Sequence, residues 1–203
     1  LESLSIFYGI KYWHQEGADA FAQLAAAMAM AEPTGRQGIL LARALTRQAT
    51  MLEWVIWRSG FTDQTLAMQK IEDLYRQSLV LCQRLHAGRE IGLALRGLLE
   101  LYLKLGKFEE ALDLGQQALP ILTECGDHRM AAEVLVDMGF FYFQIGKSRQ
   151  AITHFRQSIK ISEESGNPPY VLAFILLAQA QEALSEYDDA QKSAEIALTT
   201  LHN

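Results

Sequence analysis

The 203 residues are half hydrophobic and 21% charged, with a formal net charge of −6, which supplies the apolar material for a sizeable core and the charge density of an ordinary folded protein. An acidic chain without clustered Lys and Arg is excluded from neutralising a phosphate backbone, so direct nucleic-acid binding is not expected. No run of eighteen apolar residues occurs, the Ala- and Met-rich stretch from Phe21 to Ala31 being too short and too weakly apolar to span a bilayer.

In chain order, apolar residues at steps of three and four predict five helix pairs. The first runs from Leu4 to Gln15, turns at Glu16-Gly17 and continues from Asp19 to Ala31, ending at Glu32-Pro33-Thr34-Gly35. The second joins Gln37–Ser59 to Asp63–Leu85, with Gly60 arriving six positions before the later spacing asks for it. In the third, Ile91, Leu95, Leu98, Leu99 and Tyr102 mark one helix and Gly106 ends it. Phe108-Glu109-Glu110 then opens its partner with carboxylates at the positive helix end, and Gly126-Asp127 closes the unit. Pro120 lies inside that second helix and predicts a kink, because it cannot donate to the preceding turn. The fourth pair runs from Met130 to Ile145, turns at Gly146-Lys147 and reaches Glu164 before Gly166-Asn167-Pro168-Pro169, where adjacent prolines forbid helix. The fifth spans Tyr170 to Leu184, turns at Ser185-Glu186 and finishes from Asp188 to Leu201.

These pairs are copies of one pattern. Tyr75-Arg76-Gln77-Ser78-Leu79, Gly115-Gln116-Gln117-Ala118-Leu119 and Phe155-Arg156-Gln157-Ser158-Ile159 align at steps of forty, and Gly106-Lys107-Phe108-Glu109-Glu110-Ala111 returns as Gly146-Lys147-Ser148-Arg149-Gln150-Ala151. Ser185-Glu186-Tyr187-Asp188-Asp189-Ala190 repeats it one residue early. A fixed period of this size predicts stacked two-helix units, in which Ala111, Ala151 and Ala190 mark the close crossing of each pair.

Met138-Gly139, Tyr142, Gly146, Ala151, Phe155 and Ser158 together resemble the tetratricopeptide repeat family, and Leu98, Tyr102, Gly106, Ala111 and Ala118 match most of the same pattern. Leu99 and Gly115 depart from it, replacing a small residue and an aromatic respectively. The resemblance implies an all-α, right-handed superhelix of about five helix pairs, a single solenoid with repeats near 1–35, 36–88, 89–127, 128–168 and 169–203. The forty-residue length is similar to the long subtype at the C-terminal end of bacterial signalling ATPases and transcriptional activators. The absence of an initiating Met fits a piece of a longer protein.

Catalytic and metal chemistry finds little support in the residues. Gly146-Lys147-Ser148 lacks the partner glycine of a phosphate loop, Phe141 standing in its place. The pairs Glu109-Glu110 and Asp188-Asp189 sit at helix starts, where the helix dipole accounts for them. The five histidines show no pair at one-face spacing. Cys82 and Cys125 are too far apart for a metal or redox motif and read as reduced core residues of a cytoplasmic protein. The expectation is therefore a non-enzymatic chain with no cofactor.

In the resembling family the first helices line the concave binding surface. Carried over, this face comprises Trp54, Trp57 and Arg58 in the second unit, Arg96, Glu100 and Lys104 in the third, Asp137, Phe140 and Phe143 in the fourth, and Gln179 and Glu182 in the fifth. Trp and Arg are the residues in which binding energy concentrates. Leu93, Arg96 and Val136 stand where a chaperone-tail carboxylate clamp would need Lys and Asn, so that partner is not expected. The reading is a sensor or interaction module of a bacterial regulator, taking a protein or peptide segment or a small ligand in the groove. The alternative is a self-associating scaffold or stand-alone adaptor, joined end to end.

Overall fold

The structure, a computed structural model, describes residues 4–5, 13–29, 33–59, 65–168 and 170–202, the side chains of 57–59 and 201–202 excepted. Nine helices fall among the described residues: α1 (His14–Met28), α2 (Gly35–Ser59), α3 (Thr65–Arg84), α4 (Gly88–Lys104), α5 (Phe108–Glu124), α6 (His128–Gln144), α7 (Ser148–Glu164), α8 (Val171–Glu182) and α9 (Tyr187–His202). The expected turn at Glu16-Gly17 is not one. Gly17 is buried inside α1 and its amide donates to Trp13 O at 2.9 Å, so its freedom to turn is unused. Most of the first predicted helix, and the turn at Gly60, lie outside the described residues.

A regular device sets the spacing. Residues 86, 106, 126, 146, 166 and 185 all take positive φ, the last step being one residue short. Each closes a helix in the same way: Gly106 N–H donates to Leu103 O at 3.2 Å and Lys107 N–H to Tyr102 O at 2.9 Å, and the other five positions repeat the pair of bonds. These left-handed caps satisfy the last carbonyls and reverse the chain within three residues. Glycine is the ordinary occupant because it has no Cβ to clash, yet His86 (φ 52°) and Ser185 (φ 62°) do the same work. Asp127 adds a side-chain cap at the next helix start, accepting from Met130 N–H at 3.3 Å. α5 continues from Phe108 to Glu124 through Pro120 without ending.

The chain forms two compact units, Leu1–Leu101 and Tyr102–Asn203. In the first, α1 packs on α2 and α2 on α3. Ile71, Tyr75, Cys82, Ala42, Ala49, Leu98 and Leu99 are buried at its centre, and a smaller cluster of Ala18, Phe21 and Met51 ties α1 to α2. Ser78 Oγ donates to the Ala42 carbonyl at 2.9 Å, joining α3 to α2 by a polar bond that only a small side chain can make. The Tyr75 ring fills the space beside Gly97 of α4, where a Cβ would land inside the ring.

The second unit repeats these solutions. α5 packs on α6, α6 on α7, α7 on α8 and α8 on α9, and α6 also touches α8. Phe155 is fully buried among Val136, Ala151, Ala173, Phe174 and Leu177. Its ring lies against Gly139 so closely that a Cβ there would stand 2.5 Å from Cε1. Ser158 Oγ donates to the Ala132 carbonyl at 2.8 Å, the counterpart of the Ser78 bond forty residues twice removed. Ala111 and Ala151 are fully buried, as the crossing requires, whereas Ala190 is only half-buried and Ala197 takes the buried seat in α9. α9 departs here because nothing among the described residues covers its outer side.

Candidate functional site

In the first unit the first helices of the pairs, α2 and α4, present a polar cluster rather than a set of separate groups. The buried Tyr75 hydroxyl donates to Glu53 Oε1 at 2.7 Å and lies 3.2 Å from Thr50 Oγ1. Glu53 itself is buried. Burial, then the Glu53 carboxylate, raises the Tyr75 phenol well above its ordinary value, with Glu100 acting in the same direction. Arg96 and Glu100 are both half-buried and pair with one another at 2.5 Å, one turn apart on α4. The sequence named both as groove residues, and the structure spends part of their charge on each other. Trp54 is 54% exposed, with the His14 ring stacked on it at 5.6 Å between centroids. Trp57 and Arg58 lie on α2, but their side chains fall outside the described residues.

The second unit presents a different chemistry. Lys104, at the end of α4, is exposed. On α6, Asp137 and Phe143 are half-buried and Phe140 is 37% exposed, Phe143 resting on the core cluster. On α8, Gln179 and Glu182 are exposed, and so are Leu172 (40%) and Ile175 (37%), which share their helix face at steps of three and four. Two touching helices thus leave Phe140, Leu172 and Ile175 in solvent, with Asp137 half-buried on α6 and Glu182 exposed on α8. Leu172 and Ile175 were missed from the sequence. Their signal was present: Val171–Glu182 is apolar all round until its last residues, and a helix of that kind has apolar side chains left over after one face is packed.

Two expectations outside this face need correction or completion. Cys82 is buried, its thiol pushed up to about 11 chiefly by that burial, but Cys125 is exposed at the cap of α5 rather than in the core. His154 is half-buried on α7, its Nδ1 2.9 Å from the Gln150 carbonyl and its ring centroid 5.0 Å from that of Tyr142. Among the described residues no three His, Cys, Asp or Glu side chains come together as a metal-holding group, and no helix is long and apolar enough to cross a membrane.

Comparison with known proteins places this architecture. Residues 67–124 and 132–165 each match a family model described as tetratricopeptide repeat. The regulatory protein RapG of Bacillus subtilis (strain 168) is 26% identical over 98 residues, 45% of this chain and 27% of its own length. The chain therefore spans about a quarter of that relative. Among solved structures, BtubC from P. vanneervenii superposes with a TM-score of 0.75 at 14% identity, covering 98% of this chain and 77% of that one. The signal transduction ATPase of Pyrococcus horikoshii, which carries a tetratricopeptide repeat sensor, gives 0.74 at 15% identity over 98% of this chain and 28% of its own. A Rap protein complexed with competence and sporulation factor gives 0.73 at 15% identity over 97% and 51%. At these identities the structures speak for the fold, an all-α superhelical repeat. Residues 67–124 and 132–165 are thus tetratricopeptide repeats, and the six equivalent helix caps and paired helices carry the same architecture through the other described residues.

Proposed function

We propose that this chain is a non-catalytic docking module of a regulatory protein, binding a segment of a partner protein on the first helices of its repeats. One observation carries the reading: α6 and α8 touch, and both leave apolar side chains, Phe140, Leu172 and Ile175, in solvent where a packed repeat needs none. The similarity to RapG and to a Rap protein complexed with competence and sporulation factor supports a regulatory context, and the similarity to a signal transduction ATPase with a repeat sensor supports a sensing one. A cytoplasmic setting and a role in transcription regulation belong to the same proposal. Trp54, Trp57, Arg58, Arg96, Glu100 and Lys104 are proposed as further groove positions. A bound segment transmits a signal only if it binds one arrangement of the repeats better than another.

The test is a peptide library displayed against the chain, with selected peptides titrated calorimetrically against Ile175→Ala, Arg96→Ala and Trp57→Ala. Loss of affinity in any of these identifies the face it belongs to. Selected peptides that bind all three variants as well as the parent remove the proposed site.

A second reading has its own observation. In α7, Ser148, Ile152, Phe155 and Ile159 are buried, whereas the equivalent α9 residues Tyr187, Gln191, Ala194 and Leu198 are exposed, Tyr187 by 65% and Leu198 by 57%. This open strip favours end-to-end self-association, as in an assembly scaffold. Light scattering that stays monomeric at high concentration counts against it.

A further inference from the structure

We infer that the occupant of the α6–α8 face is a basic, amphipathic helix of a partner protein. The inference rests on the docking reading above and deepens it by naming the chemistry of the partner.

Two properties of the face point there. The first is charge. Residues 102–203 hold eight Lys or Arg against fourteen Asp or Glu, whereas residues 1–101 hold ten of each, so the whole net charge of −6 belongs to the second unit. The two helices agree: α6 carries Glu133 and Asp137 against Arg129, which pairs with Glu133, and α8 carries Glu182 and no Lys or Arg. A unit of one sign attracts and orients a segment of the other. An acidic partner would meet repulsion at the same place.

The second is backbone hydrogen bonding. An extended peptide laid on a helical surface brings one amide donor and one carbonyl acceptor per residue, and each needs a partner once water is displaced. Phe140, Phe143, Leu172 and Ile175 offer none, and Gln144 and Gln179 are the amide side chains of these two strips among the described residues. A helix satisfies its own backbone and asks only for an apolar seat. Leu172, Ile175 and Gln179 at steps of three and four give a seat two turns long, the length over which anchors at i, i+3 or i+4, and i+7 engage.

The experiment uses the full chain and three synthetic fluorescent peptides of about sixteen residues, enough for four helical turns. One carries Leu at i, i+3, i+4 and i+7 with Lys elsewhere, the second replaces each Lys by Glu, and the third places two Pro in the centre of the Lys peptide. Anisotropy should show the Lys helix bound about tenfold or more tightly than either alternative, and more weakly at high ionic strength. Phe140→Ala with Ile175→Ala should lower that affinity about tenfold. Glu182→Lys, at an exposed position that does not threaten folding, should weaken the Lys peptide and improve the Glu peptide. Equal binding of the Glu or Pro peptide, still sensitive to Ile175→Ala, overturns the basic-helix inference and leaves the docking face standing. Binding by none of the three, or binding indifferent to both Ile175→Ala and Glu182→Lys, overturns the inference and the face together.

Discussion

Gly139→Ala offers the sharpest test of how the second unit is held together. Alanine is ordinarily the better helix former by about 1 kcal/mol, so in a free helix face the change would stabilise. At this position the new Cβ stands 2.5 Å from Phe155 Cε1, 2.8 Å from Cδ1 and 3.1 Å from Cζ, all atoms of one fully buried ring. The ring is buried in one cluster with Ala151, Ala173, Phe174 and Leu177, so it can yield only by displacing its neighbours. Overpacking costs ~1–3 kcal/mol; a Cβ 2.5 Å from a fully buried ring belongs in the upper part of that range, about 2–3 kcal/mol, so after the helix gain is subtracted the net loss is about 1–2 kcal/mol. For a chain of this length that lowers the thermal midpoint by about 2–8 °C. Circular dichroism melts and urea titrations measure it, and Phe155→Leu provides the control: paired with Gly139→Ala it relieves the clash, so the double variant should lose less than the two single losses together. A Gly139→Ala protein that melts at or above the parent, or a double variant that is simply additive, refutes the close packing of α6 on α7.

Other consequences are quicker to check. His86→Gly and Ser185→Gly should each raise stability by about 0.5–1 kcal/mol, since both relieve a left-handed residue that carries a Cβ; unchanged urea midpoints would mean that side-chain contacts at these caps matter more than φ. Under native conditions at neutral pH, one thiol per chain should react with an alkylating agent, at Cys125, while the buried Cys82 reacts only after denaturation. Above pH 9 the unfolded chain releases the Cys82 proton before the folded one, whose thiol holds it to about 11, and above pH 10 the same holds for Tyr75. Stability from these two groups is therefore intact at lower pH and falls as pH rises through that range, and Tyr75→Phe should flatten the upper part of the fall while costing ~1–3 kcal/mol at neutral pH by taking a donor from the buried Glu53.

The repeat architecture was legible because its punctuation is chemical: glycine at 106, 126, 146 and 166 is the residue a left-handed cap prefers, and the apolar steps between these caps have helical period. Gly17 misled for the same reason, since permissiveness to turn is not an obligation to do so. Gly97 carried no readable role, because its purpose is set by a ring twenty-two positions away in another helix. The pairing of Arg96 with Glu100 was available as a spacing of four, yet spacing does not say whether a charge is held by its neighbour or offered to a partner. Leu172 and Ile175 were hidden by composition: Leu and Ile look alike to a reader of sequence whether they face Phe174's side of the helix or water. Cys125 shows the converse, a residue type that is most often buried standing at an exposed helix end.

The even beat of the helix caps has a bearing on how such a chain can change in length. Two successive caps delimit one helix, and three delimit a hairpin with both of its packing faces, so between residues 86 and 166 a duplication or loss of forty residues returns the chain to an equivalent place in the register. A change of twenty would put second-helix residues such as Ile152 and Ile159 where a first helix needs Ala132 and Gly139. Growth and shrinkage in whole hairpins are thus nearly free of structural penalty, and the six residues by which the Gly60 region falls out of step mark where that freedom has been given up.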